Sequence, residues 1–211
     1  MPRAVPNRSV IIDAGFDVLA EAGLEGITAR ALAERLGVQP GALYYHLRDM
    51  RALRDEMATR IIRRLMTDAA AAAELDWRTL LGTMAKRERS LLLDYRDGAR
   101  LVSGTFLTDD ETLRAMEIPL AALVNEGFSP LEAQRALSTM NAFVTGFVIE
   151  EQQGRTAGEA RYTAEQRRAR LDPQAQPLSY AVSAEVVDLP HEAFTWGVEA
   201  LIDGIGVRVS R

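Results

Sequence analysis

The side chains with the clearest capacity for chemistry lie between residues 28 and 50, in the stretch TARALAERLGVQPGALYYHLRDM. Tyr44, Tyr45 and His46 place three polar tips at the exposed end of a short predicted helix. Arg30 lies near the start of the helix before it. Phenol, imidazole and guanidinium groups can bind phosphate oxygens and base edges. The stretch therefore favours contact with a nucleic acid.

Two short helices joined by a tight turn would position these groups. Thr28 is a suitable N-cap for a first helix that reaches Leu36. Gly37 follows directly, and because a left-handed conformation costs least without a Cβ, it both ends the helix and turns the chain. A second helix over residues 39–45 has Pro40 near its first position, where a missing N–H costs nothing. This spacing predicts a helix-turn-helix unit whose second helix suits a major groove.

The unit resembles the DNA-binding domain of the tetracycline repressor (TetR) family, since ITARALAERLGV and LYYHLRDMRAL read like that family's two helices and the start of its connecting helix. The resemblance implies the following DNA contacts: Thr28, Arg30, Gln39, Pro40, Gly41, Ala42, Tyr44, Tyr45, His46 and Arg48. Arg30 could pair with guanine and Gln39 with adenine. Tyr44 and His46 suit phosphates. Two alternatives remain open: the unit could be an ordinary helical hairpin, and Tyr45 could pack against the first helix.

Charge and composition set further bounds. The formal charge is −5, yet residues 1–64 hold ten arginines against eight acids, while the remainder holds fifteen Lys or Arg against twenty-two acids. The net positive charge therefore lies in the part of the chain that contains the helix-turn-helix unit, where it can neutralise DNA phosphates. The chain has no cysteine, which excludes disulfides and thiolate zinc sites. No apolar run approaches the roughly 20 residues of a membrane span, so we expect a soluble cytoplasmic protein, with no membrane partner, metal or cofactor.

Apolar periodicity predicts an all-α fold. The expected parts are a three-helix helix-turn-helix domain over residues 1–49, a connecting helix over 50–73, and an effector-binding and dimerisation domain over 74–211 with a flexible segment at about 154–189. Outside the helix-turn-helix unit and the connecting helix, helices are predicted at 9–22, 77–93, 96–102, 109–125, 130–152, 163–171 and 191–204. Pro119 predicts a bend or break within its helix.

The helix at 130–152 is apolar on more than one face, and the helix at 190–205 combines an apolar face with small residues. Together they predict a four-helix interface between two copies of the chain. The residues assigned to it are Leu137, Val144, Val148, Phe194, Val198, Leu201 and Ile202. DNA geometry also favours a homodimer, because one recognition helix reads few base pairs whereas two copies read an inverted repeat of double-stranded operator DNA.

The second half resembles the effector domain of that family's tetracycline-responsive members in LLLDYRDGARL, NEGFS and FVTGFVIEEQQ. In those proteins the drug binds as a magnesium chelate held partly by a histidine. Here Val102 takes the place of that histidine, and Met84 and Pro119 take the places of the asparagine and glutamine that contact the drug. An isopropyl group offers magnesium no ligand. The expected effector is therefore a bulky, largely hydrophobic small molecule and not magnesium-tetracycline.

The predicted effector-binding residues are Met84, Leu101, Val102, Thr105, Phe106, Ile118, Pro119, Asn141, Phe147 and Glu150. Thr105, Asn141 and Glu150 would serve as polar anchors, whereas any of the apolar residues could simply belong to the core. The ligand is expected to act through the 97–105 segment, which would swing the connecting helix and change the separation of the two recognition helices.

Two other classes of function fit the sequence less well than a regulator. An enzyme is disfavoured because the chain has only two histidines, no phosphate-binding glycine loop and no HExxH zinc helix. A ligand-binding or scaffold protein that kept the fold but lost operator binding remains the alternative to a ligand-responsive repressor.

Overall fold

The computed structural model describes residues 7–156, 163–183 and 191–209, and the regular structure in these ranges is entirely helical. The α-helices are α1 Arg8–Ala22, α2 Ala29–Leu36, α3 Pro40–Leu43, α4 Met50–Ala72, α5 Trp77–Leu93, α6 Gly98–Val102, α7 Asp110–Ala115, α8 Glu117–Asn125, α9 Pro130–Thr156, α10 Ala164–Arg168, α11 Pro177–Ala181 and α12 His191–Val209. The all-α prediction is confirmed. None of the described helices is both long and apolar enough to cross a membrane.

Side-chain caps set the helix boundaries of the N-terminal domain. Thr28 Oγ1 accepts a hydrogen bond from the Ala31 N–H at 3.2 Å, and Asp49 Oδ1 accepts one from the Ala52 N–H at 2.7 Å, which start α2 and α4. Gly37 has a left-handed conformation with φ 66° and ends α2. The core beneath α1–α3 consists of buried aliphatic side chains, among them Ile11, Leu19, Ile27, Leu32 and Leu43.

The second domain is arranged around α5, which packs between α4 and α9, while α12 packs against both α5 and α9. Three phenylalanines lie at the α9–α12 contact, with the Phe194 ring centroid 5.8 Å from that of Phe143 and 5.2 Å from that of Phe147. Helix α4 contacts both α1 of the helix-turn-helix unit and α5 of this bundle.

A second connection between the domains is made by the turn before α6. Asp97 Oδ2 accepts a hydrogen bond from the Leu24 N–H at 2.9 Å, and Arg96 donates to the Glu21 carbonyl oxygen at 2.6 Å. Asp97 has φ 55°, a left-handed conformation that Asp tolerates better than most residues. The turn therefore holds the end of α1 and the chain after it.

Several helix bounds differ from those that the sequence predicts. The break predicted within the helix at 109–125 is present, but it lies at Met116, three residues before Pro119, where the helix is divided into α7 and α8. Pro119 is the third residue of α8, where its missing N–H breaks no intrahelical bond. In the segment predicted to be flexible, α9 continues to Thr156 and α11 begins at Pro177, which suits a first helical position. Residues 157–162 and 184–189 of that segment lie outside the described part.

Candidate DNA-binding surface and effector cavity

The recognition helix α3 is short and continues as a turn through Tyr44 to His46. Leu43 and Leu47 are buried and anchor this segment to the core. Tyr44 is 51% exposed and Tyr45 is 82% exposed, so Tyr45 extends into solvent instead of packing against α2. The phenol groups of Tyr44 and Tyr45 are therefore accessible to a binding partner.

Nine of the ten residues that the sequence assigns to DNA contact are exposed, and Ala42 is half-buried. They lie on α2, on α3, which packs against it, and in the flanking turns. Two of them already have partners within the chain: Thr28 caps α2, and Arg48 Nε lies 3.2 Å from the Asp49 carboxylate. Arg48 and Asp49 form an exposed ion pair, which contributes little free energy. Arg48 could therefore exchange Asp49 for a phosphate at little cost.

A cavity of about 350 Å³ lies in the second domain, between α4, α5, the end of α6, α8 and α9. Five predicted effector residues line it: Met84, Val102, Thr105, Pro119 and Asn141. The other five lie elsewhere: Leu101, Phe106, Ile118, Phe147 and Glu150. Leu101 is buried in the core, Phe106 is 75% exposed, and Phe147 packs against Phe194.

Several cavity residues were not anticipated from the sequence. Glu88 of α5 and Gln134 and Ser138 of α9 line the cavity, and so does Leu137, which the sequence placed in a dimer interface. A signal for Glu88 was present, because it falls at helical spacing among Leu81, Met84, Ala85 and Leu92 on the apolar face of α5. An acidic residue within such a stripe is the unusual feature.

Glu88 is 6% exposed, and Thr145 Oγ1 donates to its Oε1 at a long 3.4 Å. Burial raises the pKa of the Glu88 carboxyl to about 8, and the Thr145 hydrogen bond offsets only part of that rise. At neutral pH the cavity therefore contains a mainly uncharged carboxylic acid. A buried acid of this kind costs folding free energy whenever the unfolded chain would be ionised.

Glu88→Gln is expected to remove a pH dependence of stability. The folded chain keeps a proton that the unfolded chain releases, so the stabilisation is complete below about pH 4.5 and is lost as the pH rises towards 8. The slope is at most about 1.4 kcal/mol per pH unit. Urea unfolding at pH 5, 6 and 7 should show a steeper fall for the parent protein than for Glu88→Gln. Parallel curves would contradict the assignment.

Most side chains assigned to the dimer interface are not available to a second copy. Val144, Val148, Phe194, Val198 and Ile202 are buried within the single chain. They pack α9, α12 and α5 together, and Leu201 lies half-buried against the same core. The sequence pattern correctly found the buried faces of these helices, but it did not distinguish burial within the chain from burial against a partner.

Comparison with known proteins gives concordant results for both domains. Residues 11–57 match the family model "Bacterial regulatory proteins, tetR family", and residues 71–209 match "Tetracyclin repressor-like, C-terminal domain". The class A tetracycline repressor from transposon 1721 of Escherichia coli is 40% identical over 209 residues, which cover 99% of this chain and 93% of that protein.

Solved structures show the same relationship. A possible TetR family transcriptional regulator from Streptomyces coelicolor superposes with a TM-score of 0.84 at 30% identity, covering 97% of this chain and 100% of that one. The class A TetR crystallised with 5a,6-anhydrotetracycline and magnesium gives a TM-score of 0.70 at 31% identity, covering 95% and 98%. The chain therefore belongs to the tetR family of bacterial regulatory proteins, as a ligand-responsive transcriptional repressor and not an enzyme.

Proposed function

We propose that two copies of this chain bind an inverted-repeat operator, and that a bulky, largely hydrophobic ligand in the cavity releases them. The observation that carries the proposal is the position of α6. Val102, at its C-terminal end, lines the cavity, while Asp97, directly before its first residue, holds the DNA-binding domain. A ligand at the C-terminal end of this five-residue helix can therefore act on the domain contact at its N-terminal end.

The loop after α6 supplies a second mechanical link, to α4. The Phe106 N–H donates to Asp55 Oδ1 at 3.3 Å, and the Thr108 N–H donates to Thr59 Oγ1 at 3.1 Å. Thr105, which lies in this loop directly before Phe106, lines the cavity. A ligand that binds the two states of this loop with different affinity would shift α4, and with it the recognition helix.

The proposal of a dimer is supported by two glycines inside helices. Gly146 of α9 and Gly204 of α12 are exposed, and an added Cβ at either would meet nothing within 4 Å in this chain. Glycine costs a helix about 1 kcal/mol relative to alanine, so a close neighbour outside the chain would explain both. By contrast, a Cβ at Gly197 would collide with the Phe143 ring.

The outward faces of α9 and α12 therefore replace the buried residues as the proposed interface. Trp196 is 73% exposed on this face, an unusual position for a large aromatic side chain in a monomer. The proposed interface residues are Ala142, Gly146, Trp196, Ala200, Gly204 and Val207, all of them exposed in the single chain. Small residues beside a tryptophan would allow two helices to approach closely.

The proposal of an effector other than the 5a,6-anhydrotetracycline with magnesium of the class A structure is supported by the groups that line the cavity. Its lining offers one carboxyl group, Glu88, which burial keeps mainly uncharged, and neither His46 nor His191 is among the lining residues. Magnesium requires several oxygen ligands in octahedral geometry, usually including a charged carboxylate. We propose a different effector, with an apolar body that matches lining residues such as Leu81, Leu91 and Met140.

Fluorescence anisotropy on duplexes from the DNA flanking the gene tests operator binding. An inverted repeat is expected to bind at least about 10³-fold more tightly than a scrambled duplex at the same salt concentration. Arg30→Ala and Tyr44→Ala should each cost about tenfold. Arg87→Ala is the matched control, because it removes the same charge from an exposed site on α5. Equal binding to both duplexes would instead favour a ligand-binding protein without operator recognition.

Asp97→Gly is expected to loosen the contact between the domains. Glycine tolerates the positive φ at this position but cannot accept the hydrogen bond from the Leu24 N–H. Hydrogen exchange at residue 24 should accelerate by about tenfold, corresponding to one hydrogen bond of about 1–2 kcal/mol. Asp94→Gly, at an exposed position three residues earlier, should leave that exchange unchanged. Identical exchange in both variants would exclude a role for Asp97 as the tether.

A further inference from the structure

Among the described residues that line the cavity, Glu88 is the one with an ionisable side chain. The elements packed around it contribute aliphatic, thioether, hydroxyl and amide groups, including Gln134, Ser138 and Asn141 from α9. Within the described structure its carboxyl group has one hydrogen-bond partner, Thr145, at 3.4 Å, and its second oxygen has none. A carboxyl group thus lies in an otherwise uncharged cavity without a basic side chain to neutralise it.

A neutral ligand would not need such a group. The hydroxyl and amide groups of Ser138, Asn141 and Gln134 can already donate and accept hydrogen bonds at a lower desolvation cost than a carboxyl group. A positively charged ligand gains an attraction to the Glu88 carboxylate that the uncharged side chains cannot supply, because opposite charges attract strongly where water is excluded. The cost of burying Glu88 is then offset when the ligand is bound.

We propose that the cavity selects a lipophilic monovalent cation, an amine or quaternary ammonium on a largely apolar body, with Glu88 as its counter-ion. The proposal rests on the proposed function only in taking this cavity as the effector site. The class of ligand follows from the contrast between one acidic group and an otherwise uncharged lining.

Ion pairing has a signature in the pH dependence of binding. The cation pairs with the ionised carboxylate, and burial raises the pKa of Glu88 to about 8, so binding near neutral pH expels a proton. No ionisable side chain of α4, α6, α8 or α9 lines the cavity in the described structure, and on α5 Arg89 is paired with Glu151 while Lys86 and Arg87 are exposed and outside the lining. The affinity for the cation should therefore rise nearly tenfold from pH 6.5 to pH 7.5.

The test compares two probes that differ only in charge: 6-(2-naphthyl)hexyltrimethylammonium and the neutral molecule in which a tert-butyl group replaces the trimethylammonium group. Calorimetry at pH 7.5 should show the cation binding at least tenfold more tightly to the parent protein. In Glu88→Gln that preference and the pH dependence should vanish, while the neutral probe binds as before. Glu117→Gln, at an exposed site outside the cavity, should behave like the parent.

The inference is overturned if neither probe binds, if the neutral probe binds the parent equally well, or if Glu88→Gln keeps the preference for the cation. Unfolding curves verify that Glu88→Gln is folded. Because the titrations contain no DNA, a failure of operator binding would leave their result intact. Specific operator binding without any preference for the cation would overturn this inference alone.

Discussion

Gly204→Arg is expected to produce a monomer and to weaken binding to the inverted-repeat operator by about 10³-fold, since one recognition helix alone reads too few base pairs. An added Cβ at Gly204 meets no atom of its own chain within 4 Å, and the position is exposed, so the fold of each subunit should be preserved. On the proposed interface, however, a guanidinium group would prevent close approach of the second copy. Analytical ultracentrifugation and anisotropy measure the two effects.

Two further variants sharpen this experiment. Gly146→Arg, on the outward face of α9, should have the same effect as Gly204→Arg. Ala121→Arg, at an exposed position on α8 outside the proposed interface, should remain dimeric and bind the operator normally. A Gly204→Arg protein that stays dimeric with full affinity would refute the proposed interface, whatever the result for operator specificity.

Glu151→Leu is expected to destabilise the chain by about 3–5 kcal/mol, a large part of the 5–15 kcal/mol typical of a folded domain. Arg89 Nε and Nη2 donate to the two Glu151 oxygens at 2.9 Å each. The Arg89 side chain is only 14% exposed, and its guanidinium also lies 5.0 Å from the centre of the Phe194 ring. Removing Glu151 leaves a largely buried cation between α5 and α12 without its carboxylate.

The double variant Arg89→Leu with Glu151→Leu distinguishes an unpaired charge from a loss of packing. It should be more stable than Glu151→Leu alone, because neither charge remains buried. Urea unfolding at one fixed protein concentration is the measurement, since a dimer's apparent stability depends on concentration. If the double variant is less stable than Glu151→Leu, packing and not charge governs this site.

Features determined by neighbouring residues were predictable from the sequence. The cap at Thr28 and the turn at Gly37 depend on a few adjacent residues, and the structure places α2 where these signals predict it. Helix α5 likewise begins after the Asp76 cap at the expected residue, Trp77. Local hydrogen bonding is nearly the same wherever a helix is placed, which is why such boundaries can be inferred without a fold.

Features that depend on how helices pack were less accessible. Phe106 and Phe147 resemble lining residues by type, but one is exposed and the other packs against Phe194. Val144 and Val148 have the pattern of an interface, yet α5 and α12 already cover their helix face. A hydrophobic residue in the sequence indicates burial but not which element covers it. The tertiary structure is therefore needed to identify the residues that face a ligand or a second subunit.

Helix α9 presents Leu137 and Asn141 to the cavity and, in the proposed dimer, Ala142 and Gly146 to the other subunit. In each subunit, α9 would then form both a wall of the cavity and part of the dimer interface. Ligand binding in one subunit would therefore alter the shape of the cavity in the other. Where occupation of the first site favours binding at the second, the dose curve is sigmoidal, with a Hill coefficient of at most about two for two sites. Induction would then take place over a narrower range of ligand concentration than with two independent sites.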